Sequence, residues 1–339
     1  MQSSAIRLKH FGLDGLALEP IELGEPGPNE VLVEFHAASL NYRDVMTVLG
    51  HYNAKMELPR ILGSDAAGEV LAVGSAVTRF AVGDRVCSLF FQNWQDGEIQ
   101  PSTGKSALGG AIDGVFASAR IMPETGLVHA PAGLTYEEAA TLPCAALTAW
   151  NALVEMGRVR AGQTVLILGT GGVSLFALQI SKVQGARVIV TSSSDEKLKR
   201  ARALGADETI NYRRTPEWDV EVFGLTGKRG VDHVVEVGGA GTLPRSLRAV
   251  RPGGRVYVIG VLSGAGNGID VRTILSKSIN LNGVYVGSAA MFGRLISAIE
   301  INNIKPVVDR TFPLAEAADA LATLQSGSHF GKVVLTISQ

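Results

Sequence analysis

Cysteine is scarce: Cys87 and Cys144 are the only two in 339 residues. Two thiols exclude a disulfide framework and a four-thiolate zinc site. An excess of charge of either sign is also missing. The net charge is −1 and basic residues are scattered, so there is no electrostatic footprint for nucleic acid or an anionic membrane. The N-terminus lacks a basic segment followed by a long apolar core, so no signal peptide is expected. No internal repeat is evident. The 40 glycines follow no short period, which fits many tight turns and not a collagen-like or low-complexity chain. One run could mislead. Ala161 to Ser181 is 21 residues without a charge, long enough to span a bilayer. Its four glycines and its place inside a strand–turn–helix argue against a membrane span. The expectation is a soluble, cytoplasmic protein with a small-molecule substrate and no nucleic-acid or membrane partner. Its length makes two domains the default.

What the chain does have is concentrated in Thr164-Val165-Leu166-Ile167-Leu168-Gly169-Thr170-Gly171-Gly172-Val173-Ser174. An apolar, β-branched run stops at glycines, and a helical pattern follows through Ile180. A strand, a tight turn and a helix N-terminus form a phosphate site, because backbone N–H groups and the helix dipole both favour an anion there. Gly169 permits the turn, and Gly171 permits close approach of a pyrophosphate. Gly172 and Val173 complete the turn, and Ser174 replaces the third glycine of the fingerprint.

The context strengthens the motif. Arg187 to Thr191 reads as the second strand. Ser193-Ser194-Asp195-Glu196 reads as a capping box opening the next helix, which Gly205 ends. Val231 to Val237, Val256 to Val261 and Leu281 to Val286 are further apolar runs bounded by glycine. Continuous apolar strands suit a parallel sheet covered on both faces. Alternation of strands and helices over about 120 residues predicts a doubly wound dinucleotide-binding domain. Residues 1–132 read differently. Short β-like runs such as Val31 to Phe35 and Glu69 to Val73 are separated by Pro and Gly clusters, and Val82 to Val86 reads as a turn into a strand. Asn93 to Gly110 is a polar loop whose length suggests a function or a lid. Tyr136 to Met156 and Ala289 to Asn302 read as helical, and Phe330 to Leu335 as a last strand.

In this order the motifs resemble the medium-chain dehydrogenase/reductase superfamily, in particular its zinc-free branch of quinone oxidoreductases and zinc-independent alcohol-dehydrogenase-like proteins. The matching text is Ala38-Ser39-Leu40-Asn41-Tyr42-Arg43-Asp44, Gly63-Ser64-Asp65-Ala66-Ala67-Gly68-Glu69-Val70, Val82-Gly83-Asp84-Arg85-Val86, Ala139-Ala140-Thr141-Leu142-Pro143 and Gly169 to Ser174. The resemblance implies an α/β protein: a GroES-like, β-rich catalytic domain over 1–132, a Rossmann domain with a doubly wound parallel sheet over 133–287, and a return of 288–339 to the catalytic domain. It also suggests a homodimer through the edge run Leu281 to Val286. The Cys, His and Cys that hold a catalytic zinc in relatives fall on Asn41, Ser64 and Cys144. An amide and a hydroxyl are poor zinc ligands, so no metal is expected.

An acid at the end of the second strand would bind a ribose 2′-OH and select NAD. That corner holds Ser192 and Ser193. Lys197 and Tyr212 resemble a Lys–Tyr pair that contacts the 2′-phosphate in NADPH-using quinone oxidoreductases, and a cation and a phenol suit a dianion. NADP is therefore the expected cofactor, with NAD the alternative, which Asp195 or Glu196 could favour by reaching a ribose hydroxyl. The resemblance places Thr148 and Lys332 at the cofactor. The loops at Gly238, at Ile259-Gly260-Val261 and at Val286-Gly287 lie where a doubly wound sheet presents its crevice.

Without zinc, the oxyanion that develops on an acceptor needs another donor, and Asn41, Tyr52 and Ser64 are the candidates. Tyr52 resembles the tyrosine proposed as proton donor in enoyl-thioester reductases. Asp44 is either its orienting partner or a structural cap, and His51 is an acid–base alternative. Phe90, Phe91 and Trp94 are candidates for an apolar substrate pocket. The expected activity is NADPH-dependent hydride transfer to a quinone, enone or related activated carbonyl. The alternatives are a zinc-independent alcohol dehydrogenase and a non-catalytic NADPH-binding protein.

Overall fold

The computed structural model describes residues 1–264, 266 and 269–337. Residues Met1–Leu147 and the chain from Val286 onward form one compact unit, and Thr148–Tyr285 form a second. The stretch 133–147, which the sequence analysis joined to the Rossmann domain, lies in the first unit, as do Val286 and Gly287.

The first unit is built on strands β1 (Gln2–Leu8), β2 (Leu16–Glu22), β3 (Glu30–Ser39), β4 (Arg60–Ile61), β5 (Asp65–Val73), β6 (Arg85–Ser88), β7 (Ala119–Pro123) and β8 (Leu127–His129). Helix α1 (Tyr42–Val48) follows β3, and α2 (Tyr136–Ala139) follows β8. Strands β2, β1 and β4 make a small sheet. In the large sheet β3 pairs antiparallel with β5 and β7, so that Ser39 faces Asp65 and Ala38 faces Ala66. Val31, Val33, Phe35, Leu40 and Val70 are buried in one core. The long β3 is what delivers the segment Leu40–Asp44 to the middle of this unit.

The second unit begins on α3 (Leu147–Trp150) and holds β9 (Thr164–Leu168), α4 (Gly172–Val183), β10 (Arg187–Ser192), α5 (Asp195–Ala203), β11 (Glu208–Asn211), α6 (Trp218–Leu225), β12 (Val231–Glu236), α7 (Leu243–Ala249), β13 (Val250–Val258), α8 (Val271–Ser276) and β14 (Asn280–Gly283). Its parallel sheet runs β11-β10-β9-β12-β13-β14. Numbered within the sheet this is 3-2-1-4-5-6, the doubly wound order, with its switch point between β9 and β12. Every residue of β9 and β12 is buried, as expected for central strands covered on both faces.

Three expectations are corrected in detail. The capping box ahead of α5 is absent: Ser194 caps the helix by accepting from the Lys197 amide, and three residues on stands Lys197, not an acid. Leu281 to Val286 is strand only as far as Gly283. The helical region Tyr136 to Met156 is broken: α2 is one turn, and π-type turns at Leu142–Ala146 and Asn151–Met156 flank α3. The pyrrolidine ring of Pro143 cannot join a regular ladder.

The chain then returns to the first unit with α9 (Ala289–Asn302), β15 (Val308–Pro313), α10 (Ala317–Ser326) and β16 (Lys332–Thr336). Strand β16 pairs with β3, Val334 facing Ser39. The uncharged run Ala161–Ser181 divides into β9 and α4, and no helix among the described residues is long and apolar enough to cross a membrane.

A buried histidine gives the second unit a pH signature. His233 on β12 takes the Tyr257 hydroxyl at Nδ1 (2.8 Å) and faces Gln163 Oε1 from Nε2 (3.1 Å). Gln163 Oε1 can only accept, so Nε2 carries a proton, and in the neutral ring Nδ1 is then free to accept the Tyr257 hydroxyl. Burial lowers its pKa from 6.5 to about 4. The unfolded chain therefore takes up this proton first, and stability is lost as pH falls from about 6.5 towards 4. The shift corresponds to roughly 3 kcal/mol. Thermal melts between pH 7 and 5 should show a falling Tm, and His233→Gln should flatten that slope. An unchanged slope in the variant would refute the assignment.

Candidate functional site

The first unit buries three charged side chains near the start of α1, Asp44, Asp65 and Lys332, with the partly buried Arg43 beside Asp44. Each is brought by a different rule of local structure. Asn41 ends the extended segment after β3 and precedes α1, and Asp44 sits three residues on with its Oδ2 accepting the Asn41 amide (2.8 Å). Asp44 is thus a helix cap, the second of the two roles considered for it. Asp65 opens β5 and accepts the Ser64 hydroxyl (2.6 Å) on Oδ1 and the Cys144 amide (2.9 Å) on Oδ2. Lys332 opens β16, and its ammonium donates to Leu40 O (2.5 Å) and Asn41 Oδ1 (2.7 Å). Burial pushes the Asp44 and Asp65 carboxyls up, against the opposing pull of Arg43 on the first and Lys332 on the second. It pushes the Lys332 ammonium down. Carboxylate and cation offset each other's desolvation, which is how such groups are kept inside.

This arrangement orients Asn41. With Oδ1 held by an ammonium, its amide N–H groups face the other way, where Nδ2 makes a long contact to Ser64 Oγ (3.4 Å). Asn41 is a donor here. Arg43 anchors the flank: Nη2 donates to Leu108 O (2.7 Å), and the guanidinium lies over the rings of Phe90 (4.5 Å) and Tyr52 (5.6 Å). Tyr52 itself is 36% exposed and next to exposed His51. In the sequence Arg43 stands only as one member of a longer motif. Its neighbours in space, Leu108 and Phe90, lie far along the chain, so spacing gave no signal of its role.

The residues at the zinc positions of relatives do not fit a zinc ion. Asn41 Oδ1 is 2.7 Å from a cation, and the Ser64 hydroxyl donates to Asp65. The Cys144 thiol is pushed up to about 12 by burial. Among the described residues no group of three or more His, Cys, Asp and Glu side chains could hold a metal.

The expected aromatic pocket looks different in the structure. Phe90, Phe91 and Trp94 are all buried, Phe90 and Phe91 pack edge to face (4.7 Å), and Trp94 donates to Gly97 O. Of the three, Phe90 lies under the Arg43 guanidinium. Lys332, expected at the cofactor, is buried and donates to Leu40 O and Asn41 Oδ1. Gly287 is buried against Leu147, and Val286 holds a positive φ of 54°.

In the second unit the first βα turn is as expected. Gly169 has φ +74°, a conformation that costs other residues a clash. Gly171 caps α4, and Gly172 and Val173 form its first turn. Ser174 fits the third glycine position by donating its hydroxyl to Leu168 O (2.7 Å). At the end of β10, Ser192 is buried and its carbonyl accepts from Tyr212 N (3.1 Å), so this corner and Tyr212 adjoin. Ser193 and Lys197 are half-buried beside it. Asp195, the acid that could compete for a ribose, is held by Arg214 (2.5 Å) and Asn211 (2.7 Å). Thr148 is buried, whereas Gly238, Ile259, Gly260 and Val261 line the loops after β12 and β13.

Family comparison matches both halves. Residues 27–132 match the alcohol dehydrogenase GroES-like domain, and residues 172–300 match the zinc-binding dehydrogenase domain. The chain belongs to the medium-chain dehydrogenase/reductase superfamily. It is 45% identical over 333 residues to a zinc-type alcohol dehydrogenase-like protein of Schizosaccharomyces pombe, covering 96% of each chain. It is 35% identical to a quinone oxidoreductase of Pseudomonas aeruginosa, again over 96% of each. A solved alcohol dehydrogenase candidate from Sinorhizobium meliloti 1021 superimposes with a TM-score of 0.92 at 44% identity, covering 99% of this chain and 98% of that one. The protein is accordingly an NAD(P)-dependent oxidoreductase of this superfamily, α/β in class, with a GroES-like domain and a Rossmann-like parallel sheet.

Proposed function

We propose that this protein is an NADPH-dependent reductase of a quinone, enone or related activated carbonyl, working without catalytic zinc. The observation that carries the reading is the Lys332–Asn41 contact, which turns the residue at a metal-ligand position into a hydrogen-bond donor. Bound nicotinamide supplies the hydride. Hydride to the far end of a conjugated acceptor puts negative charge on its oxygen. The Asn41 amide and the Tyr52 hydroxyl stabilise that charge as it develops, and the Tyr52 phenol gives a proton to the resulting enolate. Conjugated acceptors delocalise incoming charge and need less electrophilic help than saturated carbonyls. The name of the Pseudomonas relative agrees with this class, and that of the yeast relative favours the alcohol dehydrogenase alternative.

NADP is preferred over NAD because the corner at Ser192 and Ser193 carries no acid, while Asp195 is engaged by Arg214 and Asn211. Lys197 and Tyr212 are the partners proposed for the 2′-phosphate. The protein is also proposed to be a homodimer through the β14 edge, where Leu281 and Tyr285 are exposed, since an unpaired apolar edge is otherwise an aggregation hazard.

Three measurements test this reading. Tyr52→Phe should lower kcat on the best enone by on the order of 10²-fold with NADPH affinity nearly unchanged. A fully active variant, or saturated alcohols as the best substrates in a panel of quinones, enones, enoyl thioesters and alcohols, would sink the assignment. Lys197→Ala should weaken NADPH binding by roughly 1–3 kcal/mol and barely change NADH binding; equal affinity for both cofactors, indifferent to the substitution, would refute the NADP preference. Finally, the purified protein should run as a dimer in light scattering and contain no stoichiometric zinc in elemental analysis, with activity resistant to chelators. A monomer, or one tightly held zinc per chain that activity requires, would overturn the corresponding part.

A further inference from the structure

Glu236 is the last residue of β12 and is fully buried, yet no lysine or arginine pairs with it among the described residues. Its carboxylate is instead surrounded by donors from its own chain. Oε1 accepts the amides of Gly238 (2.8 Å) and Gly239 (3.0 Å) and the Thr242 hydroxyl (2.6 Å), and Oε2 accepts the Ser246 hydroxyl. The backbone carbonyl of the same residue accepts Ile259 N (2.9 Å) and Gly260 N (3.3 Å) from the end of β13. One residue therefore ties down both loops that leave the second half of the sheet. A serine bridges them further: Ser263 donates from its amide (2.6 Å) and its hydroxyl (2.7 Å) to Gly238 O, and accepts Gly241 N (2.9 Å).

The consequence is geometric. With the amides of Gly238 and Gly239 turned inward, Val237 is left at the surface of the crevice. Its Cγ2 lies 3.8 Å from where a Cβ on Gly169 would stand, so it faces the glycine turn across the β9–β12 switch point. Its carbonyl packs so closely on Gly260 that a Cβ there would lie 2.2 Å away. In a doubly wound sheet the adenosine half of a dinucleotide lies over strands one to three, here β9 to β11, and the other half over strands four to six. Val237, Gly238 and Gly260 thus stand on the nicotinamide side.

We infer that Glu236 is a positioning residue for the nicotinamide half of the dinucleotide. Its carboxylate pre-orders the loops after β12 and β13 so that the crevice need not be ordered on binding. A carboxylate with at least four donors suits this task, because it gathers amides that would otherwise point at the ligand and fixes them at no further entropic cost. The inference rests on the second unit being a dinucleotide site. It does not depend on which acceptor is reduced.

The test compares the whole dinucleotide with its adenosine fragment in a binding titration without acceptor. The ligands are NADPH and adenosine 2′,5′-bisphosphate, or NADH and AMP if the wild-type protein prefers NAD. Glu236→Leu should weaken the dinucleotide by about tenfold or more while the fragment stays within about twofold. Glu236→Gln should restore binding, since its amide oxygen can accept the three donors on Oε1 and its NH2 group can donate to Ser246 Oγ. Thr242→Val, which removes one donor and keeps the shape, should move in the same direction by a smaller factor, and it carries the test if the leucine variant does not fold. Dinucleotide binding unchanged in the leucine and valine variants would overturn the inference. So would a parallel loss of dinucleotide and fragment, which belongs to a general folding role, or a glutamine variant as impaired as the leucine one. Cofactor bound normally with no acceptor turned over would refute the proposed reductase activity and leave these outcomes standing.

Discussion

The contact of the Lys332 ammonium with Leu40 O and Asn41 Oδ1 is the constraint on which the first unit depends. It joins residues almost 300 positions apart, and it is made where β16 pairs with β3. A buried ammonium cannot stand alone in an apolar interior, and neither can the Asp44 and Asp65 carboxylates around it. Taking one partner from a buried pair generally costs about 3–5 kcal/mol, because the other charge remains inside. The C-terminal return of the chain is therefore needed by the charges of the N-terminal half. The same contact fixes which face of the Asn41 amide is available for chemistry. Stability and the proposed donor role share one interaction.

The second unit solves a related problem differently. Glu236 is as deeply buried as Asp65, but its partners are backbone amides and hydroxyls. Amides from glycine can crowd around a carboxylate because no Cβ stands in the way. A cation would have neutralised the charge equally well, but it would not have shaped the loops. Asp232 shows the other solution: burial would raise its carboxyl, yet Arg229, Arg251 and the Thr164 amide hold it at about 2. Those arginines lie at the other end of β12, at its start.

Much of the second unit was legible in the sequence because its signals are local. A β-branched run followed by glycines has one economical fold: β9 and β10 appear within a residue of where the pattern put them, and α4 runs three residues beyond Ile180. Helix α9 matches its expected bounds, Ala289 to Asn302. The first unit was legible only in outline. Its strands are short and its sheet pairs β3 with β5, β7 and β16, partners that no spacing rule connects. For the same reason Asn41, Ser64 and Asp44 could be named as candidates, whereas Arg43 and the inward course of Lys332 could not. The aromatic residues Phe90, Phe91 and Trp94 show how little a local cluster says about its surroundings. Spacing places them together in a long loop, and the structure adds that the loop folds onto itself and buries them.

The missing acid at the end of β10 has a structural counterpart that spacing alone could not supply. An acid does stand nearby, at Asp195, and a reader of the sequence must ask whether it can reach a ribose. Arg214 and Asn211 answer by occupying both of its oxygens. The arginine is thereby neutralised as well, so the corner gains no strong net field from this pair, and its salt-screened strength at the surface is small. In the proposed reading, a dianionic 2′-phosphate is told from a hydroxyl at this corner by the side chains beside Ser192, Lys197 and Tyr212, whose elements meet through the bond from Tyr212 N to Ser192 O. A charge-assisted hydrogen bond from a lysine is worth about twice a neutral one. On that proposal the discrimination between cofactors is asked of very few groups, and the register of β10 against β11 sets where they stand.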